Sequence, residues 1–148
     1  MTKRISLWVL ILAASAAVAQ VQHVPVVAKG KFLNKHASVT KAIFTPTQNG
    51  VYRVTVYLTV VTPGVPEPQT VWNAFLNWTD DAGDEGGPSG GAIAGQVSNA
   101  TPPGASGHGE IIVESVAGSP IILGLTNAFP NDGSAVNLYY TVEQLVLF

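Results

Sequence analysis

The sequence contains no cysteine and few charged residues. Because cysteine is absent, disulfide bonds are excluded, and the fold must be held by packing alone or by packing together with subunit association. Charged residues make up 11% of the chain, against a usual share of about a quarter. Hydrophobic residues make up 47%. This combination excludes a largely disordered chain and predicts a surface that readily makes protein contacts.

Basic residues are absent from the last two thirds of the chain. Beyond the N-terminal region they are Lys29, Lys31, Lys35, Lys41 and Arg53, and all 9 acidic residues follow them, between Glu67 and Glu143. Nucleic-acid binding requires clustered Lys and Arg residues that replace the counterions of the phosphate backbone. We therefore expect no nucleic acid among the partners of this protein.

Long apolar runs are scarce, and the clearest one lies at the N-terminus. Residues 5–18 are almost wholly apolar, follow Lys3 and Arg4, and lead into the small residues 17–19. This pattern is typical of a secretory signal peptide spanning residues 1–19, with Gln20 as the first mature residue. The run is shorter than the roughly 20 residues that cross a bilayer, and an uncleaved membrane anchor is the alternative. We expect a secreted, extracellular protein, or a periplasmic one in a bacterial host, with no membrane span after cleavage.

Apolar residues at helical spacing are missing after the signal peptide, whereas alternation with a period of two is clear. In residues 50–62 the apolar positions are Tyr52, Val54, Val56, Leu58 and Val60, and those between them are Arg53, Thr55, Tyr57 and Thr59. This alternation, rich in β-branched residues, is typical of a half-buried β-strand. Turn residues precede it at 49–50 and follow it at 63–64.

Similar strands are predicted along the rest of the chain. They cover residues 38–45, 70–79, 110–116, 120–127 and 135–148, with a weaker candidate at 92–98 and a loose or edge strand at 21–31. Seven or eight short strands separated by turns predict an antiparallel β-sandwich or barrel. We expect three parts: the signal peptide at 1–19, an N-terminal segment or edge strand at 20–37, and one β-domain at 38–148.

The last predicted strand ends in four apolar residues, Leu145, Val146, Leu147 and Phe148. A strand that is apolar on both faces is buried on both faces, so the second face must be covered by another subunit or redirected by a bulge. Large rings at outward positions also favour an interface, although scattered exposed aromatics are the alternative. The predicted interface residues are Tyr57, Phe75, Tyr139, Leu145 and Leu147.

Three segments resemble the jelly-roll domains of the C1q/TNF family. They are Phe44-Thr45 followed by a turn and Gly50-x-Tyr52, the apolar hairpin at 109–123, and the terminal segment 140–148. The resemblance covers residues 38–148 in order. It implies an antiparallel jelly-roll sandwich of ten strands that trimerises about a threefold axis, with the terminal strand near that axis. Together with the apolar terminal strand, it supports a non-enzymatic recognition or structural module that acts as a homotrimer, with an extracellular protein or glycan as its ligand.

An acidic loop offers an alternative function. Asp80, Asp81, Asp84 and Glu85 lie in a glycine-bearing loop that can turn several oxygens toward one point, as calcium requires. The spacing does not match an EF-hand, and a solvated acidic loop is the competing interpretation. With Trp72 or Trp78 as a stacking platform, the loop would make a calcium-dependent ligand or glycan binder. Alternation, however, places both tryptophans on the inward face.

Catalysis finds little support in the sequence. Ser89 lies in a Gly-x-Ser-x-Gly segment, but this chemistry needs a strand-to-helix turn and a nearby His base, and no helix is predicted after it. His23, His36 and His108 lack the paired spacing of metal ligands. We therefore expect no catalytic residue and no enzymatic activity.

Overall fold

The computed structural model describes residues 24–65, 71–82, 85–86, 92–98, 102–128 and 131–148, and the regular structure in these ranges is entirely β-strand. The strands are β1 (Val26–Lys35), β2 (Val39–Phe44), β3 (Gly50–Thr62), β4 (Val71–Thr79), β5 (Glu85–Gly86), β6 (Ala92–Ser98), β7 (Ser106–Ser115), β8 (Ile121–Asn127) and β9 (Ala135–Leu147). The predicted signal peptide lies outside the described residues. Within the described ranges there is no helix that is long and apolar enough to cross a membrane.

The strands form two antiparallel sheets with a jelly-roll order. The first sheet has the order β1-β9-β3-β7, and the second has β2-β8-β4-β6, with the short β5 pairing the end of β4. The strand pairs are those of one long hairpin that is rolled across two sheets: β4 pairs with β6, β3 with β7, β2 with β8 and β1 with β9. This is the double Greek key of a jelly roll. The predicted fold class, an all-β antiparallel jelly-roll sandwich, is confirmed.

The core lies between the two sheets and is organised around β3. This strand pairs with β7 on one side and β9 on the other. The inward residues of β3 are buried against those of β4 and β8: Tyr52, Val54, Val56, Leu58, Val60, Trp72, Ala74, Leu76, Ile121, Leu123 and Leu125. The period of two in the sequence thus corresponds to burial, because successive side chains of a strand point to opposite faces.

The N-terminal strand β1 lies at the edge of the first sheet, where it pairs only with β9. An edge strand was predicted at residues 21–31, and the observed strand runs from Val26 to Lys35. Gly30 is required here because a Cβ at this position would overlap the ring of Tyr140. Since β1 completes the first sheet, the folded unit includes residues before 38.

The terminal strand β9 contains a bulge near its end. Val51 of β3 pairs with Val146 and Tyr52 pairs with Gln144, so Leu145 has no partner residue on β3. A bulge of this kind inserts one residue and re-aims the side chains beyond it. Val146 is 53% exposed and Phe148 is 63% exposed. The bulge is one of the two arrangements expected for this segment, and the subunit does not enclose its last residues.

Candidate interaction surface

The outer face of the first sheet carries a row of large side chains that crosses all four strands. The alternation that buries the apolar residues of β3 points Tyr57 outward. Tyr57 pairs with Tyr139 on β9 and with His108 on β7, and Tyr139 pairs with Lys31 on β1. Because residues directly opposite in a sheet share a face, the row runs Lys31, Tyr139, Tyr57, His108.

The two tyrosines at the centre of this row form an exposed aromatic pair. Their ring centroids are 6.2 Å apart and the ring planes are inclined at 42°. Tyr57 is 44% exposed and Tyr139 is 39% exposed. They line a shallow depression of about 130 Å³ together with Thr55 and Thr141. The structure therefore brings together two of the residues that were predicted to form an interface.

Phe75, which was predicted to belong to the same interface, lies on the other side of the molecule. It belongs to β4 in the second sheet, and its ring lies over Gly124 of β8, where a Cβ would overlap the ring. The ring is consequently half-buried against the sheet. Alternation in the sequence indicated correctly that Phe75 points outward, but not which of the two sheets carries it.

A charged band lies next to the aromatic row on the first sheet. Arg53 of β3 forms an ion pair with Glu143 of β9, with Nη2 to Oε2 at 2.5 Å, and its Nε donates to the same oxygen at 2.6 Å. Glu110 of β7 is more distant, with its Oε2 3.8 Å from the Arg53 Nε. Glu143 is the better neutralised of the two carboxylates, because it also forms the direct hydrogen bond.

Beyond the charged band the same face becomes apolar. Ile112 of β7 is 59% exposed and lies beside Arg53, while Val51 and Val146 pair with each other. The predicted interface residue Leu145 is half-buried at the bulge. Leu147 is 40% exposed and lies with Phe148 in a depression of about 400 Å³ at the end of the sandwich.

The acidic loop begins directly after β4, and part of it meets β7. Asp80 accepts a hydrogen bond from the backbone N of Ala82 at 3.1 Å. Partial desolvation raises the pKa of the Glu114 carboxyl, and the charges of Asp81 and Asp80, together with a hydrogen bond to Asp81, raise it further. Glu114 carries no local signal in the sequence, because the end of β4 reaches β7 only in the folded chain, where Val116 N donates to Thr79 O at 3.1 Å.

The predicted calcium ligands are only partly described. Asp84 lies outside the described residues, and of Glu85 only the backbone is described. Within the described part of the chain, no three His, Cys, Asp or Glu side chains are arranged to hold a metal ion. Asp80, Asp81 and Glu114 have carboxylate oxygens, which are donors of the type that calcium takes. The described side chains alone do not form a calcium coordination shell.

The two tryptophans of β4 differ in their accessibility to a ligand. Trp72 is fully buried, and its Nε1 donates a hydrogen bond to Ser134 Oγ at 2.7 Å. Trp78 is half-buried and packs against the core. The sequence-based hypothesis of a tryptophan stacking platform is wrong for Trp72, because the inward face of β4 is covered by the first sheet.

A buried polar cluster joins Trp72 to the turn before β9. Ser134 Oγ donates to Asp132 Oδ1 at 2.6 Å, and Asn127 Nδ2 donates to Asp132 Oδ2 at 3.2 Å. His36 Nδ1 lies 3.1 Å from the backbone O of Ser134. Ser134 is only 1% exposed, and His36 contacts its carbonyl rather than its hydroxyl, so this serine is not placed as a nucleophile. The cluster satisfies buried polar groups and fixes the turn.

The remaining residues considered for chemistry are dispersed. Ser89 and His23 lie outside the described residues. His108 is exposed at the end of the row that contains the tyrosines.

Comparisons with known proteins give weak likenesses. No family model and no curated protein matches the sequence. Among solved structures, Eiger TNF from S. frugiperda is similar over 82% of this chain and 94% of that one, with 12% identity and a TM-score of 0.40. The N-terminal CBM22-1–GH10 modules of Clostridium thermocellum xylanase 10B, complexed with xylohexaose, are similar over 74% of this chain, with 10% identity and a TM-score of 0.39. This chain spans only 19% of the xylanase chain, and the jelly-roll assignment accordingly depends on the strand order described above.

Proposed function

We propose that this chain is a secreted, non-enzymatic jelly-roll module that assembles into a homotrimer and serves in recognition or as a structural unit. Subunits meet through the outer face of the first sheet. The observation that carries the proposal is the exposed pair of Tyr57 and Tyr139 at the centre of that face. Adjacent exposed rings supply a large apolar contact area at low entropic cost, which is why aromatic residues are enriched at the centres of protein interfaces.

The surroundings of the pair have the composition of an interface. Large hydrophobic residues that are exposed on the outer face of the first sheet are Val26, Tyr57, Val61, Ile112, Tyr139 and Val146. Threonines and the ion pair of Arg53 with Glu143 lie between them. An apolar centre with polar neighbours suits a contact with protein.

The remaining elements of the proposal come from the sequence. Secretion follows from the signal-peptide pattern of residues 1–19, and the threefold number follows from the C1q/TNF resemblance of residues 38–148. The absence of cysteine adds a physical reason for assembly, because subunit contacts supply stability that disulfides supply in many exported domains.

The test is the mass of the mature chain in solution. Sedimentation equilibrium and light scattering at micromolar concentration should give three times the mass of one mature subunit. A monomer throughout the concentration range would contradict the proposal. A stable dimer would retain the interaction surface but overturn the threefold symmetry.

A second candidate function is calcium-dependent ligand or glycan binding at the acidic loop. The observation that favours it is the approach of Asp80 and Asp81 to Glu114. Desolvation raises the pKa of Glu114, the two neighbouring charges raise it further, and a bound cation would relieve that repulsion. Asp84 and Glu85 are the further ligands proposed. Thermal unfolding with calcium and with a chelator tests the site, and identical melting temperatures would remove it. A glycan array probed with and without calcium tests the ligand.

A further inference from the structure

The outer face of the first sheet carries opposite charges along its two edges. On β1, Lys29 pairs with Thr141 and Lys31 pairs with Tyr139, so both lysines share the outward face, and both are exposed. On β7, at the other edge, Glu110 and Glu114 have the same orientation. Glu110 pairs with Thr55 and Glu114 pairs with Val51, which are outward residues of β3.

The two charged edges do not neutralise each other within the subunit. They are separated by three strand spacings, which amounts to about 14 Å. This distance exceeds the Debye length of about 8 Å at physiological ionic strength. Arg53, the one arginine among the described residues, forms its close ion pair with Glu143 and is more distant from Glu110, whose side chain is 50% exposed.

The acidic edge also has an excess of negative charge. Asp80 and Asp81 lie beside Glu114, and the hydrogen bond of Glu114 is made to another carboxyl group, that of Asp81. The basic edge has the converse arrangement, since its two outward lysines lie opposite the uncharged residues Thr141 and Tyr139. The basic edge and the acidic edge therefore carry complementary charges, and the tyrosine pair lies between them.

We propose that copies of this chain associate through this face, with Lys29 and Lys31 at the basic edge of one copy meeting Glu110 and Glu114 at the acidic edge of the next. The contact is heterologous, because it joins two different surfaces of the same molecule, and a heterologous contact closes into a ring when the rotation permits. This inference rests on the proposed self-association and specifies its polarity. Charge complementarity fixes which edges meet and accelerates their encounter, while the tyrosines and Ile112 provide the apolar contact.

Charge reversal at one edge at a time tests the pairing. We expect Lys29→Glu with Lys31→Glu, and separately Glu110→Lys with Glu114→Lys, to raise the dissociation constant of the assembly by about a hundredfold or more, because like charges then face each other. All four substitutions together restore opposite edges and should restore assembly. Lys41→Glu is the control, since Lys41 lies on β2 at the edge of the second sheet.

A mixing experiment provides the sharper criterion. The lysine-reversed variant has two acidic edges and the glutamate-reversed variant has two basic edges, so the two should bind each other in an equimolar mixture although neither assembles alone. A ring of three cannot alternate the two variants, so the expected product is a one-to-one complex and not the full trimer. The neutral variant Glu110→Gln with Glu114→Gln tests the same edge without a charge reversal, in case Glu110→Lys with Glu114→Lys fails to fold. Circular dichroism checks that each variant is folded. Raising the salt to about 1 M should weaken wild-type assembly, because it shortens the Debye length to about 3 Å.

The outcomes separate the two proposals. A wild-type chain that is monomeric overturns the proposed self-association and this inference together. A wild-type chain that is trimeric, and remains so in folded variants with either edge reversed, overturns only the edge pairing. Loss of assembly in both reversed variants, with recovery of the trimer in the fourfold variant and a one-to-one complex in the mixture, supports the pairing.

Discussion

The two outer faces of the sandwich are built by the same alternation of residues but have different surfaces. On the first sheet, Tyr57 and Tyr139 are exposed above the strands and lie among charged and apolar neighbours. On the second sheet, Phe75 lies over Gly124, and Val71 is the exposed large hydrophobic residue among the side chains described there. The comparison shows that a glycine in the sheet can accommodate an outward ring, so Phe75 is half-buried whereas Tyr57 and Tyr139 remain exposed.

The largest expected effect comes from removing the rings of the first face. Tyr57→Ala with Tyr139→Ala should cost the assembly about 4 kcal/mol or more, because truncation of central interface aromatics typically costs at least about 2 kcal/mol each. Analytical ultracentrifugation should then show monomers. The matched control is Phe75→Ala on the second face, which should leave the mass unchanged. If Phe75→Ala also abolished assembly, the proposal that subunits meet through the first face and not the second would be contradicted.

The second effect concerns Gly124, beneath the ring on the second face. Gly124→Ala should destabilise the subunit by about 1–3 kcal/mol, because the added Cβ overlaps the ring of Phe75 and forces local repacking. Denaturant unfolding measures this loss. In the double variant Gly124→Ala with Phe75→Ala the clash is absent, so the two losses should not add. Strict additivity would show that the ring does not lie on this glycine in solution.

A smaller effect is expected at the ion pair of the first face. Arg53→Met should reduce the unfolding free energy of a subunit by about 0.5–1 kcal/mol, which is the upper part of the range for partly exposed pairs. The loss should shrink in high salt, because screening already weakens the wild-type pair. Thermal melts at two ionic strengths check this. If the loss of stability did not depend on salt, it would come from lost packing of the Arg53 side chain and not from the ion pair.

The smallest effect is a pH dependence at Glu114. Because the folded chain raises the pKa of this carboxyl, the folded state binds the proton more tightly than the unfolded state does. The contribution to stability is therefore greatest below the ordinary pKa of glutamate and is lost as the pH rises through the raised value. Glu114→Gln should remove this part of the pH profile and slightly raise the melting temperature at neutral pH. An unchanged profile would show that Asp80 and Asp81 do not act on Glu114.

The in-and-out pattern of the strands could be predicted from the sequence because it is local. The buried positions of β3, from Tyr52 to Val60, follow from alternation alone. The jelly-roll order came from the resemblance rather than from any physical signal within the strands. For the terminal segment, four consecutive apolar residues indicated either a bulge or a subunit contact, and the bulge at Leu145 is present.

The placement of residues relative to distant parts of the chain could not be predicted. Phe75 and Tyr57 are both outward residues of alternating strands, and only the long-range pairing assigns them to different sheets. The hydrogen bond of Trp72 to Ser134 and the approach of Glu114 to Asp81 likewise join segments that are far apart in sequence. Such contacts depend on the register of several strands, and a single sequence carries no local signal for the register between distant strands.

The pairing of β1 with β9 has a consequence for how the chain folds. Val26 meets Glu143, which lies more than 100 residues later, so the first sheet cannot be completed until the last strand is available. Contacts between such distant residues pay a large loop-closure entropy and fold slowly. For the export proposed above this delay is an advantage, because the first sheet closes only after β9 has left the translocation pore.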